Sequence, residues 1–258
     1  MTRRGVLNIT TRKKQDNMVS RVVNPDGTST LGDFSSSDPM MSLFIPNARS
    51  TRTPVNNPAV RNTTNTFAVG YKERVQIDLS GGGTLKWRRI VFMMKGSVLR
   101  DAMDTDDTGS IINQLFWQTT EGGTNRVIGP LDPGSPSQVE LTSFLFQGQQ
   151  DIDWRNFFTA KVDTTRVTLK YDKVRTIAPG NESGVSRSYR FWNPIRRTIL
   201  YDDDMESDVV GDKPFSTEGL IGVGDMYILD VFAIVVPPLT GDGLYTFSPE
   251  GTYYWHER

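Results

Sequence analysis

Two stretches of this chain set cationic groups beside aromatic rings: Lys86-Trp87-Arg88-Arg89, and Tyr189-Arg190-Phe191-Trp192 followed by Arg196-Arg197. Guanidinium and ammonium groups hold phosphate oxygens, and an aromatic face accepts a stacked base, so this composition suits single-stranded nucleic acid. Alternate side chains of a strand face opposite ways. Lys86 and Arg88 are therefore expected on one face, open to phosphate, with Trp87 on the other face and in the core. Lys86, Arg88, Tyr189 and Arg190 are the candidate nucleotide contacts of these two stretches. A third basic group opens the chain: Arg3, Arg4, Arg12, Lys13, Lys14 and Arg21 against Asp16 give the first 21 residues a charge of +5, leaving −6 for the rest of a chain whose net charge is −1. A basic arm on a near-neutral to acidic body commonly serves nucleic acid.

Other chemistries find little support. With no cysteine there is no disulfide framework, thiolate metal site or Cys nucleophile, and a single histidine, His256, makes a His-rich metal site or a Ser-His-Asp triad improbable. Hydrolysis would fall to a carboxylate pair about 5 to 9 Å apart, but no two acids are singled out on facing strands. Asp104, Asp106 and Gly109 match three positions of a calcium loop, yet Thr108 and Leu115 stand where further ligands are needed, so a solvated loop is expected. The acids Asp202, Asp203, Asp204, Glu206 and Asp208 read as a loop facing solvent or a neighbouring subunit. Gly81-Gly82-Gly83-Thr84 lacks the Lys-Ser/Thr ending and following helix of a phosphate loop and reads as a hairpin turn. Neither an enzyme nor a cofactor is expected.

The elements that must carry these residues are mostly strands. Apolar and polar residues alternate through Phe67–Leu79, Leu85–Met94, Arg166–Ile177, Val185–Trp192 and Leu244–Trp255, with an apolar strand at Met226–Val236. Further strands are expected at Ile111–Thr120, Arg126–Ile128, Gln138–Phe146 and, after a turn at Asn193-Pro194, Ile195–Tyr201. Asp151–Ala160 is the best helix candidate, with Asp153 as cap. No apolar run approaches the ~20 residues of a membrane span. The pattern predicts an all-β protein: a basic arm over residues 1–21, an extended irregular segment over 22–65 broken by five prolines, and a jelly-roll β-sandwich over 66–258 with at most one or two short helices. Met40–Ile45 is the one apolar patch of the irregular segment, suited to an edge strand.

At this point several segments, in order, resemble the capsid proteins of genomoviruses, circular single-stranded DNA viruses related to geminiviruses. They are Arg12-Lys13-Lys14-Gln15-Asp16-Asn17-Met18, the stretch from Asp163 through Arg166-Val167-Thr168-Leu169-Lys170-Tyr171-Asp172 to Ile177, Phe191-Trp192-Asn193-Pro194 running to Tyr201-Asp202-Asp203-Asp204, Gly224-Asp225-Met226-Tyr227, and Tyr254-Trp255-His256-Glu257. The resemblance implies a single jelly-roll subunit that assembles into a small icosahedral (T=1) shell around circular single-stranded DNA. It implies a virion protein that passes through the host nucleus, with the basic arm also meeting a nuclear import receptor. Arg3, Arg4, Arg12, Lys13, Lys14 and Arg21 would then face inward on phosphates, joined by Lys86, Arg88, Tyr189 or Arg190.

The alternative from another class is a carbohydrate-binding or glycoside-hydrolysing jelly roll, which expects a monomer or small oligomer with an aromatic groove and paired acids. One departure from the family stands out. Its members carry a longer Arg-rich arm, and a subunit of net charge −1 cannot offset packaged phosphates. The natural chain is therefore expected to begin upstream of Met1 with further basic residues. Intact mass of subunits from particles should exceed 29.0 kDa, and a mass of 29.0 kDa would overturn that expectation.

Overall fold

The computed structural model describes residues 11–24, 26–51, 57–104, 115–203, 205–206, 209–210, 213–239, 241 and 243–257. In chain order its strands are β1 (Arg12–Met18), β2 (Ser20–Val23), β3 (Ser29–Leu31), β4 (Phe34–Ser36), β5 (Met40–Phe44), β6 (Asn65–Ser80), β7 (Thr84–Met94), β8 (Trp117–Gln118), β9 (Thr124–Ile128), β10 (Thr168–Ile177), β11 (Val185–Leu200), β12 (Met205–Glu206), β13 (Val209–Val210), β14 (Asp225–Val236) and β15 (Leu244–Glu257). The helices among the described residues are α1 (Val98–Asp104) and α2 (Pro136–Leu145).

Two sheets form the sandwich: one ordered β1-β15-β6-β11, with β4 also on β15, and one ordered β10-β7-β14-β5. Ranked by their place in the chain, these eight strands run 1-8-3-6 in the first sheet and 5-4-7-2 in the second, which is the jelly-roll wind. A smaller sheet, β3-β2-β9-β8, closes one flank, and β12 and β13 form a short hairpin. The predicted all-β jelly roll is thus the observed fold.

Between the sheets lies an aromatic layer. Trp87 stacks on Phe232 at 5.7 Å, and Phe232 stacks on Tyr245 at 5.3 Å. The second sheet is buried on both faces, because Ile90, Phe92 and Leu229 on its far side pack with Leu99 and Met103 of α1, Leu141 and Leu145 of α2, and Trp154. Among the described residues no such cover lies on the first sheet, whose outward side chains, such as Lys72, Arg74 and Gln76, are exposed.

Within the apolar interior sits a group of four ions. Arg89 on β7 forks onto Asp230 of β14 (Nε to Oδ1 2.7 Å, Nη2 to Oδ2 2.8 Å) and reaches Glu73 of β6 with Nη1. Arg126 on β9 donates to Glu73 Oε1 at 2.7 Å and to Asp230 Oδ2 at 2.9 Å, and Trp87 Nε1 donates to Asp230 at 2.8 Å. All four ions are buried, and two positive and two negative charges cancel. Burial pushes the Asp230 carboxyl up, but Arg89, Arg126 and the Trp87 hydrogen bond outweigh it and hold the group below the usual carboxylate range.

Several local expectations are corrected. Gln138–Phe146 is mostly the helix α2 and not a strand: Ser135 caps it by accepting from Gln138 N, Pro136 occupies the first turn, and Leu141 and Leu145 fall on one buried face. The expected helix Asp151–Ala160 is a series of turns, in which Asp151 takes φ 66° and the Asp153 carboxylate accepts from Gln149 N at 2.7 Å. Asn193-Pro194 is no turn either; β11 continues through it with a register shift between Pro194 and Arg197. Of Ile111–Thr120 the described part contains only β8, and the calcium-like stretch Asp106–Gly109 lies outside the described residues. Within 22–65, Met40–Phe44 is the expected edge strand, paired with β14.

Removing one partner of a buried ion group leaves an uncompensated charge, which costs about 3–5 kcal/mol. Asp230→Asn should lower unfolding stability by that amount in urea titration. Because the folded-state pKa of Asp230 lies below its unfolded value, its contribution is complete above about pH 5 and is lost as pH falls through the lower folded value. The stability gap between wild type and Asp230→Asn should accordingly stay constant above about pH 5 and narrow below pH 4.

Candidate nucleic-acid interface

The open face of the first sheet is built by strand alternation. In β6, Tyr71, Glu73, Val75 and Ile77 point inward, so Lys72, Arg74 and Gln76 point out. Across the sheet, Lys72 lies opposite Trp192 on one side and Thr252 on the other, while Arg74 lies opposite Arg190 and Glu250. Towards the start of β1, Lys13 pairs with His256, which in turn pairs with Phe67. Three shallow concavities run along this face. One of about 460 Å³ is lined by Lys13, Gln15, Val69, Lys72, Trp192, Tyr254 and His256 among others. The next, of about 430 Å³, includes Asn17, Lys72, Arg74, Glu250 and Thr252. The third, of about 490 Å³, includes Arg74, Gln76, Asp78, Arg190 and Glu250.

The charge along the face is graded. At the Lys13 end, the lining side chains are basic, aromatic or neutral; at the far end, Asp78, Glu250 and Asp33 offset Arg74 and Arg190. His256 has its pKa lowered by partial burial and by the neighbouring Lys13, so its imidazole is neutral at pH 7 and acts as a ring and hydrogen-bonding group.

Aromatic geometry at the Lys13 end depends on a glycine. Trp192 and Tyr254 sit on the two strands that flank β6, their rings 6.1 Å apart and inclined at 63°. Tyr254 is in register with Gly70. A Cβ on Gly70 would stand 2.9 Å from the Trp192 ring and 2.6 Å from the Asn193 carbonyl oxygen. The bare backbone at Gly70 lets the indole lie down on the sheet.

The residues expected from sequence to contact nucleic acid divide sharply. Arg190 points out on the open face, and Arg12 and Lys13 are exposed at the start of β1. Lys14 is instead buried, bound to Glu257 at 3.0 Å and to Val60 O and Asn62; burial lowers its pKa, Glu257 opposes that shift and Arg12 adds to it. Arg88 does face away from the sandwich interior as expected, but that face is covered. Its guanidinium binds Asp172 (2.7 and 2.8 Å) and the carbonyls of Phe157 and Ala160. Lys86, on the same covered side, is half-buried and lies on the other sheet from the open face. Tyr189 packs inward on Trp87 at 5.2 Å with Arg175 stacked over it. Arg21 donates to Asn125 and Ser29 and lies 4.7 Å over Trp117. Arg3 and Arg4 lie outside the described residues.

The open-face residues that sequence reasoning passed over are Lys72, Arg74, Tyr254 and His256, with Trp192 quoted only for its composition. The alternation in β6 and β11 contained the signal: the phase that buries Tyr189 and Phe191 exposes Arg190 and Trp192. The solvent-loop reading of Asp203 is also corrected, since Arg61 forks onto it with side chains of zero exposure. Among the described residues no cluster of His, Asp and Glu is arranged to hold a metal.

No protein-family model matches the chain, and no curated protein matches it. Among the solved structures it is weakly similar to are several of a polyomavirus VP1 protein. The VP1 protein of Trichodysplasia spinulosa-associated polyomavirus in complex with GM1 oligosaccharide is 10% identical, with 96% of this chain and 94% of that chain covered and a TM-score of 0.14. The same VP1 in complex with 3'-sialyllactose is 10% identical over 96% of this chain and 76% of that one, with a TM-score of 0.13. Likeness of this size gives no residue correspondence, and the jelly-roll assignment rests on strand order alone.

Enlarging Gly70 should disturb the aromatic pair. Gly70→Ala is expected to cost roughly 1–3 kcal/mol, as overpacked sites do. Trp192 emission should shift in the folded state, whereas an unchanged emission maximum and stability would show that the indole does not rest on Gly70.

Proposed function

We propose that this protein is the structural, non-catalytic subunit of a small icosahedral (T=1) shell of genomovirus type, which packages circular single-stranded DNA against the open face of its first sheet. The observation that carries the reading is the asymmetry of the sandwich. One sheet is covered on both sides, while the other leaves a solvent face on which Lys13, Lys72, Arg74 and Arg190 flank Trp192 and Tyr254. That combination serves single strands without regard to sequence: cations track the phosphates and rings accept bases. The resemblance of the sequence to genomovirus capsid proteins and the jelly-roll wind support the same reading.

In this reading the partners are further copies of the chain and the DNA genome. Its places are the virion and, during assembly, the host nucleus, with Arg3, Arg4, Arg12 and Lys13 serving an import receptor. Exposed apolar side chains at the sandwich ends, such as Leu220 and Ile221 before β14 and Leu239 after it, would lie between subunits.

Negative-stain microscopy of the purified protein should show uniform particles, with the 260 to 280 nm absorbance ratio of packaged nucleic acid. Isolated globules with the absorbance of protein alone would favour the carbohydrate-binding alternative. For the binding step, Lys72→Gln should weaken oligothymidylate binding and reduce the slope of log K against log salt by about 0.7 per lost phosphate contact. Affinity that stays flat from low to high salt would contradict a phosphate-led mechanism.

A further inference from the structure

We propose that the concavity at the Lys13 end of the open face is a discrete site for one unpaired nucleobase, stacked on the Trp192 indole with its phosphates held by Lys72 and Lys13. This deepens the DNA-packaging reading and rests on it. Among the four aromatic residues of this region, Trp192 (45% exposed) and Phe67 (43% exposed) offer the most ring surface to solvent. Phe67 is already engaged with His256 at 6.1 Å and an interplanar angle of 33°. Trp192 meets Tyr254 with ring centroids 6.1 Å apart and planes inclined at 63°, so the tyrosine is not stacked parallel on the indole. Gly70 and Val69 form the floor beside it.

The volume of about 460 Å³ is room enough for one nucleotide. A base in a duplex has both faces covered by its neighbours, so a stacking site of this kind selects unpaired bases. Lys72 lies in register with Trp192, one strand away, and Lys13 projects from β1 beside His256, so both cations line the same concavity as the ring. Among the described residues no carboxylate lines this concavity, in contrast with the far end of the face, where Asp78 and Glu250 do. That absence of acids among its lining residues favours a phosphate-bearing ligand over a sugar, which hydrogen-bonding acids would serve.

The test uses the full chain and a fluorescent oligothymidylate of about twelve nucleotides, within the span such sites bind. Trp192→Ala should lower affinity at fixed salt by at least about fivefold while leaving the salt slope unchanged, and Trp192→Phe should restore most of the loss. Wild-type indole emission should be quenched by the oligonucleotide and not by the matching duplex. If the wild type binds and Trp192→Ala binds as tightly, the site is wrong and the packaging reading stands. If the wild type shows no salt-dependent binding, the packaging reading falls and the site with it. If a neutral or sialylated oligosaccharide quenches Trp192 and the oligonucleotide does not, the site is a glycan site and the proposal is overturned.

Discussion

Four ions in the middle of the sandwich govern how every other part of this molecule is presented. Isolated, any one of them would be expelled from an apolar interior. Together, Glu73, Arg89, Arg126 and Asp230 neutralise one another across both sheets and the flanking strand β9. Side chains along a strand alternate, so placing Glu73 inside forces Lys72 and Arg74 outside. A slip of one residue in β6 would bury two cations beside Arg89 and Arg126 with Asp230 as the one acid left in the group, and strand Glu73 in solvent. The same logic in β7 sends Arg89 inward and Arg88 to the opposite side. The cluster does not maximise stability, since well-packed apolar groups often match such ions. Its effect is to make the register of β6 and β7 unambiguous.

Register alone does not make a binding face; the cover on the second sheet does the rest. Arg88 and Arg190 both point away from the sandwich interior, yet one is locked beneath the carbonyls of Phe157 and Ala160 and the other is exposed. The difference lies in the long excursion between β7 and β10, whose helices and turns cap one sheet and leave the other bare. Chain charge is equally deceptive. Asp16 with Arg49, Asp203 with Arg61, Asp225 with Arg100 and Glu257 with Lys14 are pairs with at least one deeply buried partner, so these groups are spent inside the fold without altering the net charge. The charge of the open face is set by the residues that line it, and these are basic or neutral at the Lys13 end and mixed at the other.

How much of this was legible in the sequence depended on whether a residue's neighbours along the chain decided its place. Strand alternation is local, so β6, β7, β10, β14 and β15 were read nearly to their ends, and Trp87 was placed in the core. Lys14 and Arg88 were misjudged because their partners, Glu257 and Asp172, lie far along the chain. The segment Gln138–Phe146 offers pieces of both periods, Val139 and Leu141 two apart and Leu141 and Leu145 four apart; Ser135 and Pro136 decide for the helix. Pro194 suggested a turn, but among the described residues β11 pairs only with β6, so as an edge strand it accommodates a residue that cannot donate.

Lys14 and Arg21, two of the six cations in the basic opening segment, are engaged in interactions within the fold. Arg12 and Lys13 stand where that segment joins β1, beside His256 and Glu257. Phosphate binding and folding thus draw on the same short stretch, and strand alternation separates them: Lys14 and Asp16 are buried while Lys13, Gln15 and Asn17 face out. A neutral His256 fits that division. A charged imidazole beside Lys13 would compete with it for the same phosphates and repel it when they are absent. Left uncharged, the ring extends the aromatic surface of Phe67 and leaves Lys13 as the cation at that end of the face. The face then joins a few strong charges to a larger area of ring, which is the composition that favours unpaired strands over duplex.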